Sequence, residues 1–320
     1  MPWSTGFSSA SKFPEAARAF PASTRKTSPT VSTLDRETLR KIRRIRLHTR
    51  LILESGIVGS YHAAFKGRGM EFAEVREYQP GDDVRTIDWN VTARSGVPHV
   101  KKYIEERDLT LLLLIDISGS ASFGSRYLAK RDLAAEISGV LAFSAVANKD
   151  RVGAVLFSDE IEMFIPPSRG EMHALRIVRD TLVHRGRSRG TSIQRAVRFA
   201  RGILKRRAIV AIISDFQDHG YEKGLAALRR KHDVFALHLV DPRDKNMPDI
   251  GLVRLADPET GEVVVLDTSD PRVRAALMPP DAEETRAGLR QCGVDSLALA
   301  TSEPYDRPLQ GFFKGRERRR

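Results

Sequence analysis

Three oxygen-bearing side chains stand at alternate positions in LLLLIDISGSASFGS, residues 111–125: Asp116, Ser118 and Ser120. Two later positions can join them. RGRSRGTSIQRA carries Thr191 in a loop that opens a helix, and IVAIISDFQD carries Asp215 at the end of a second apolar run. Together they offer two carboxylates and three hydroxyls, a donor set made of oxygen alone. Such a set suits Mg2+, which demands near-octahedral oxygen coordination and keeps several waters, with Mn2+ or Ca2+ as substitutes. Neutral hydroxyls leave the ion with uncompensated positive charge, so an acidic side chain from a partner protein can complete its shell. The chemistry expected of Asp116, Ser118, Ser120, Thr191 and Asp215 is therefore metal-dependent binding of another protein, with no catalytic residue.

For these residues to meet, the elements carrying them must end at one edge. LTLLLLID is apolar at every position from Leu111 to Ile115, as expected of a strand buried on both faces of a parallel sheet. From Leu109 onward such runs alternate with helical ones. LTLLLLID, RVGAVLFSD, RAIVAIISD and DVFALHLVD read as strands, and AKRDLAAEISGVLAFSAVAN, EMHALRIVRDTLV, TSIQRAVRFARGIL and YEKGLAALRRKH read as helices. The succession predicts an α/β fold, a mostly parallel sheet flanked by helices with right-handed crossovers. In open sheets of this kind ligands bind outside the C-terminal strand ends, which is where Asp116 and Asp215 fall.

The rest of the chain divides by composition. Residues 1–33 are rich in Ser, Thr, Pro and Ala and lack a continuous apolar core, so they read as a disordered leader, with a transit-like extension as the alternative, and not as a signal peptide. Residues 34–58 form a basic amphipathic helix, with Leu39, Ile42, Ile45 and Ile52 on one stripe and RETLRKIRRIRLHTR supplying the charge. Residues 59–108 read as a β-rich module broken by QPGDD and ARSGVP. In it, Asp82, Asp83, Arg85 and Asp88 are expected to lock a turn through Arg–carboxylate bonds above a buried Trp89, with a partner-docking surface as the alternative reading of the block. Residues 109–307 hold the α/β domain and a C-terminal elaboration: a hairpin turning at ETGE, a helix ending at Gly293 and a last strand in VDSLALAT. Residues 308–320 read as a frayed basic tail.

Bulk properties narrow the function. A chain of 320 residues with 41% hydrophobic content can bury a sizeable core. One cysteine, Cys292, forms no internal disulfide, and no apolar run approaches membrane-spanning length, so a cytoplasmic protein is expected. The net charge of +12 lies largely in Arg36–Arg50 and the terminal RERRR, which leaves open a peripheral contact with the inner membrane surface. FKGRGMEF lacks the Lys-Ser/Thr pair of a phosphate loop, the histidines show no paired ligand spacing, and no G-x-S-x-G elbow surrounds the serines. Any ATP use should then belong to a partner.

The D-x-S-x-S of Asp116 to Ser120, with Thr191 and Asp215 in later loops, resembles the metal-ion-dependent adhesion site of von Willebrand factor A domains. The upstream block RGMEFAEVREYQPGDDVRTIDWNVTARSG and the VKKYIEERD that follows resemble the signature of the bacterial domain-of-unknown-function family 58. The resemblance runs from about Gly59 to about Arg307. It implies a von Willebrand factor A-like fold, and an adaptor or chaperone-like partner of a MoxR-type AAA+ ATPase in maturation or remodelling of other proteins. Two rival classes stay open. A metal-dependent phosphoester hydrolase would use the same ion to polarise its substrate, but no general base is evident nearby. A nucleic-acid-binding module would use the basic termini, which lack interleaved aromatic residues.

Overall fold

Leu111 to Ile115 are fully buried, and from their strand the main sheet is wound in both directions. The computed structural model describes residues 36–65, 70–105, 109–120, 129–188, 190–242, 249–256, 263–276 and 281–319. In chain order the first elements are α1 (Arg36–Ile52), α2 (Val58–Phe65), β1 (Met70–Glu77), α3 (Trp89–Ser95) and β2 (His99–Glu105). The α/β core follows with β3 (Thr110–Asp116), α4 (Lys130–Ala147), β4 (Arg151–Phe157), β5 (Ile161–Ser168), α5 (Glu171–Val183) and α6 (Ile193–Ile203). It continues through β6 (Ile209–Ser214), α7 (Glu222–Lys231) and β7 (Asp233–Val240). A hairpin of β8 (Leu252–Ala256) and β9 (Val263–Asp267), then α8 (Pro271–Ala276), α9 (Ala282–Gln291), β10 (Asp295–Ala300) and α10 (Asp306–Arg318), complete the order.

The six-stranded sheet has the order β10-β7-β6-β3-β4-β5. Every neighbouring pair is parallel except β4 with β5. Counted from β3, this is the doubly wound order 3-2-1-4-5-6, which reverses direction between β3 and β6. The reversal opens a crevice at the C-terminal ends of those two strands. Alternate residues of β3 serve two cores. Leu111, Leu113 and Ile115 pack with Leu133, Ile137 and Leu141 of α4 and with residues of α2 and α10, whereas Leu112 and Leu114 pack with α6, α7 and Leu289 of α9. Burying each of these leucines contributes about 1.5–3 kcal/mol, so the strand carrying Asp116 is held firmly on both faces.

IEMFIPPS forms β5, a strand that the sequence pattern does not announce because its two prolines argue against a ladder. As an outermost strand it tolerates them, and they blunt the exposed edge. Gly153 of β4 permits the close approach, since a Cβ there would lie 2.9 Å from the Ile165 carbonyl oxygen.

Several other expectations need correction. The tail at 308–320 is not frayed through residue 319: α10 buries Leu309, Phe312, Phe313 and Arg316, spaced i, i+3, i+4 and i+7. The Arg316 guanidinium lies 2.6 Å from Asp233 and 3.0 Å from Asp295, stacked over Phe65, Phe235 and Phe312. The segment 34–58 is helical only to Ile52 before a π turn, Leu53–Ile57, in which Gly56 takes φ +94°. The segment 59–108 is less β-rich than expected. It contains most of α2, one antiparallel pair, β1 with β2, and between those strands a 3-10 turn and α3.

Trp89 is 69% exposed, not buried. Asp88 caps α3 by accepting from the Asn90 and Val91 N–H groups, which puts Trp89 in the outward first turn. The arginine that locks the turn is Arg76, bidentate on Asp82 at 2.7 and 2.8 Å, while Arg85 meets Asp83 only through its backbone N–H. The leader at 1–33, the ETGE turn, the KGRG of FKGRGMEF and Ser122 lie outside the described residues.

Candidate metal centre

The parallel register sets Ile115 of β3 beside Ile213 of β6, so the next residues, Asp116 and Ser214, emerge together at the crevice. Ser214 Oγ donates to Asp116 Oδ2 at 2.6 Å and accepts from the Phe216 N–H at 3.0 Å. Asp116 Oδ1 accepts from the Ser118 N–H at 2.9 Å, which turns the chain so that the Ser118 and Ser120 hydroxyls stand 3.0 Å apart. Asp116, Ser118, Ser120 and Asp215 are all buried. Phe216, next to Asp215, adopts φ +55°, a left-handed conformation that bulky residues rarely take and that fixes the loop's sharp turn.

Thr191 is half-buried in the loop before α6, at the same end of the sheet. Neighbours tie that loop down from both sides. The Ser192 N–H donates to the Ser158 carbonyl beyond β4, and the Ile193 N–H donates to Asp218 Oδ2 at 2.7 Å in the loop after β6. Glu162 of β5 accepts from the Arg187 and Ser188 N–H groups. Its burial would raise the carboxyl, but those donors and the Ser158 hydroxyl outweigh it and hold the pKa below the usual range. The loops carrying Asp116, Thr191 and Asp215 are thus cross-linked around one crevice.

Electrostatics at the crevice favour a positive charge. Burial first, and the neighbouring Asp215 carboxylate second, push Asp116 up to about 7 against the lowering effect of the Ser214 and Ser118 hydrogen bonds. A buried carboxylate in that condition is stabilised as an anion by a cation. Among the described residues no group of three or more His, Cys, Asp or Glu is placed to hold a metal, so any ion here depends on the hydroxyls as well. The donor set fits Mg2+: two carboxylates and serine hydroxyls, oxygen throughout and partly neutral.

Two residues in the crevice lie beyond what the sequence pattern marks. Ser214, in IISD, is one position before the candidate ligand Asp215, and the parallel register shows that it and not Asp215 adjoins Asp116 on the neighbouring strand. Lys130, the first residue of α4, reaches across to Asp215 Oδ2 at 3.0 Å with only 2% of its side chain exposed. No local pattern marks it, because a lysine at a helix start ordinarily reads as solvated.

A family profile described as "Protein of unknown function DUF58" matches residues 74–287, about two thirds of the chain. The chain belongs to the DUF58 family. "Uncharacterized protein Rv1480" of Mycobacterium tuberculosis is 32% identical over 286 residues, covering 87% of this chain and 89% of the relative. "Uncharacterized protein Mb1516" of Mycobacterium bovis gives the same figures. Among solved structures, the chain is similar to the conserved hypothetical protein BatB from Bacteroides thetaiotaomicron, at 15% identity and a TM-score of 0.43 over 66% of this chain and 99% of the other. It is also similar to the SpRpn10 VWA domain, at 14% identity and a TM-score of 0.35 over 63% and 93%. The doubly wound order with its antiparallel edge strand makes the fold of this DUF58 chain von Willebrand factor A-like. The family region contains every crevice residue named above, while α1 and α10 lie outside it. Among the described residues no helix is long and apolar enough to cross a membrane.

Proposed function

We propose that this protein is a non-enzymatic, metal-dependent binder of other proteins, acting at the crevice between β3 and β6. The observation that carries the reading is the pair of buried carboxylates, Asp116 and Asp215, set beside serine hydroxyls at the switch point of the sheet. Asp116, Ser118, Ser120, Thr191 and Asp215 would hold Mg2+ directly or through water. When bound, the ion supplies an electrophilic anchor for an acidic side chain of the partner. The chain's own residues do the positioning: Ser214 and the Ser118 N–H fix the Asp116 carboxylate, and Asp218 and Glu162 fix the loop that presents Thr191. The resemblance in the sequence favours a MoxR-type AAA+ ATPase as partner, with this protein as adaptor in remodelling other proteins. A cytoplasmic setting fits that partnership.

Chelation alone is an ambiguous test, because it also removes the Mg2+ that an ATPase uses with its nucleotide. Asp116→Asn is cleaner. Binding of the purified MoxR-type ATPase in millimolar Mg2+ is expected to fall at least about ten-fold in the variant, as loss of a buried charged contact implies. Equal binding by wild type and variant, with an intact fold by circular dichroism, removes the adhesion reading. Phosphatase turnover by the wild type, lost in Asp116→Asn, would replace it with the hydrolytic one.

A further inference from the structure

Lys130 stands where a bound cation would be wanted. Its ammonium is 3.0 Å from Asp215 Oδ2, and both side chains are nearly inaccessible, at 2% and 3% exposure. A lysine at the first position of a helix works against the helix dipole, whose N-terminal end is positive, so its placement there needs the carboxylate opposite. The residues after it are tied elsewhere. Arg131 donates to the Thr181 carbonyl of α5 at 2.9 Å, and Asp132 pairs with Lys41 of α1 at 2.9 Å. The start of α4 is therefore anchored, while four methylenes leave the Lys130 ammonium able to swing without moving the helix.

We infer that Lys130 is a built-in counter-ion of the crevice, and that a divalent ion enters only by displacing its ammonium from Asp215. The inference rests on the metal-binding reading above and deepens it. With Lys130 in place, one positive charge already answers Asp215, and a dication at the same carboxylate meets a like charge at close range. Binding is thus an exchange, weaker than the donor set alone would give. The metal-free protein in turn keeps Asp215 compensated. The crevice alternates between a lysine-filled state and a metal-filled state, and only the second presents a Lewis acid to a partner.

Titration of the full chain with MnCl2, followed by the electron paramagnetic resonance signal of free Mn2+, tests this with Lys130→Met and Lys130→Arg beside the wild type. Lys130→Met should bind Mn2+ at least about ten-fold more tightly than wild type, as removal of a like charge at contact distance implies, and Lys130→Arg should bind like wild type. In chelator, Lys130→Met should melt lower than wild type and recover on adding Mn2+. Wild-type binding that Lys130→Met matches or loses overturns the counter-ion role and leaves the metal site standing. No Mn2+ binding by any of the three overturns both. Should Lys130→Met fail to fold, wild-type crystals soaked in MnCl2 decide. An anomalous peak beside Asp116 with the Lys130 ammonium withdrawn from Asp215 supports the exchange, and a peak with the pair intact overturns it.

Discussion

Asp116 carries a proton more readily than an ordinary aspartate because burial, and then the Asp215 charge, penalise its anion. Its folded pKa of about 7 lies above the unfolded value, so its contribution to stability is fully present below about pH 4 and is lost as pH rises through 7. The amide of an Asp116→Asn variant would mimic the neutral acid at every pH. In chelator, the wild type should therefore lose stability relative to Asp116→Asn between about pH 5.5 and 8, by roughly 1–3 kcal/mol, as a shift of this size and sign implies. Urea midpoints for both proteins at the two pH values measure it, and parallel pH profiles would show that Asp116 titrates normally. Adding Mg2+ at the higher pH should close the gap by stabilising only the wild type. Asp116, Ser118 and Ser120 were legible as candidates at this scale because oxygen donors at alternate positions after a buried strand are a local pattern, while Thr191 and Asp215 were singled out only through the expected parallel sheet. Ser214 and Lys130 were not, because a strand register and a helix start 85 residues from Asp215 bring them in.

The elements divide by how far their signals are local. The buried strands β3, β4, β6 and β7 and the helices between them were readable from apolar runs and 3.6-residue spacing alone. The charge-rich GFFKGRERRR pointed the wrong way and IEMFIPPS was not read as a strand at all, since a buried ion pair and an edge position are tertiary facts. Arg316 is the clearest case: a residue that reads as a solvated tail charge is 4% exposed, and its partner Asp233 opens β7. Removing one member of such a pair strands the other charge in the interior. Arg316→Ala should thus destabilise the protein by about 3–5 kcal/mol, whereas Arg316→Met combined with Asp233→Leu should cost much less. Equilibrium urea unfolding measures both. A loss below about 1 kcal/mol for Arg316→Ala would mean that α10 contributes through its buried apolar residues, Leu309, Phe312 and Phe313, and not through the ion pair.

For the whole molecule, the arrangement of charge matters more than the total of +12. Inward-facing Ile45 and Ile52 fasten α1 to the domain, with ion pairs from Lys41 to Asp132 and Arg46 to Glu171. Its outer face exposes Arg36, Arg40, Arg43, Arg44 and Arg50 around Leu47 and Leu51, the two leucines 66% and 64% exposed. Deleting the helix would uncover core residues and confuse folding with binding, so the informative change is charge reversal on the outer face. Arg40→Glu with Arg43→Glu should leave the melting temperature within about 2 °C, since exposed substitutions usually cost under about 0.5 kcal/mol. The same variant should leave heparin at distinctly lower salt, because surface basic charge binds polyanions by releasing counterions. Mn2+ affinity should stay unchanged, since α1 packs on α4 and α5 while the crevice opens at the strand ends between β3 and β6. Heparin elution and Mn2+ titration of the one variant therefore separate two kinds of surface: loss of polyanion binding alone assigns them to different faces, and loss of both would couple the basic helix to the metal site.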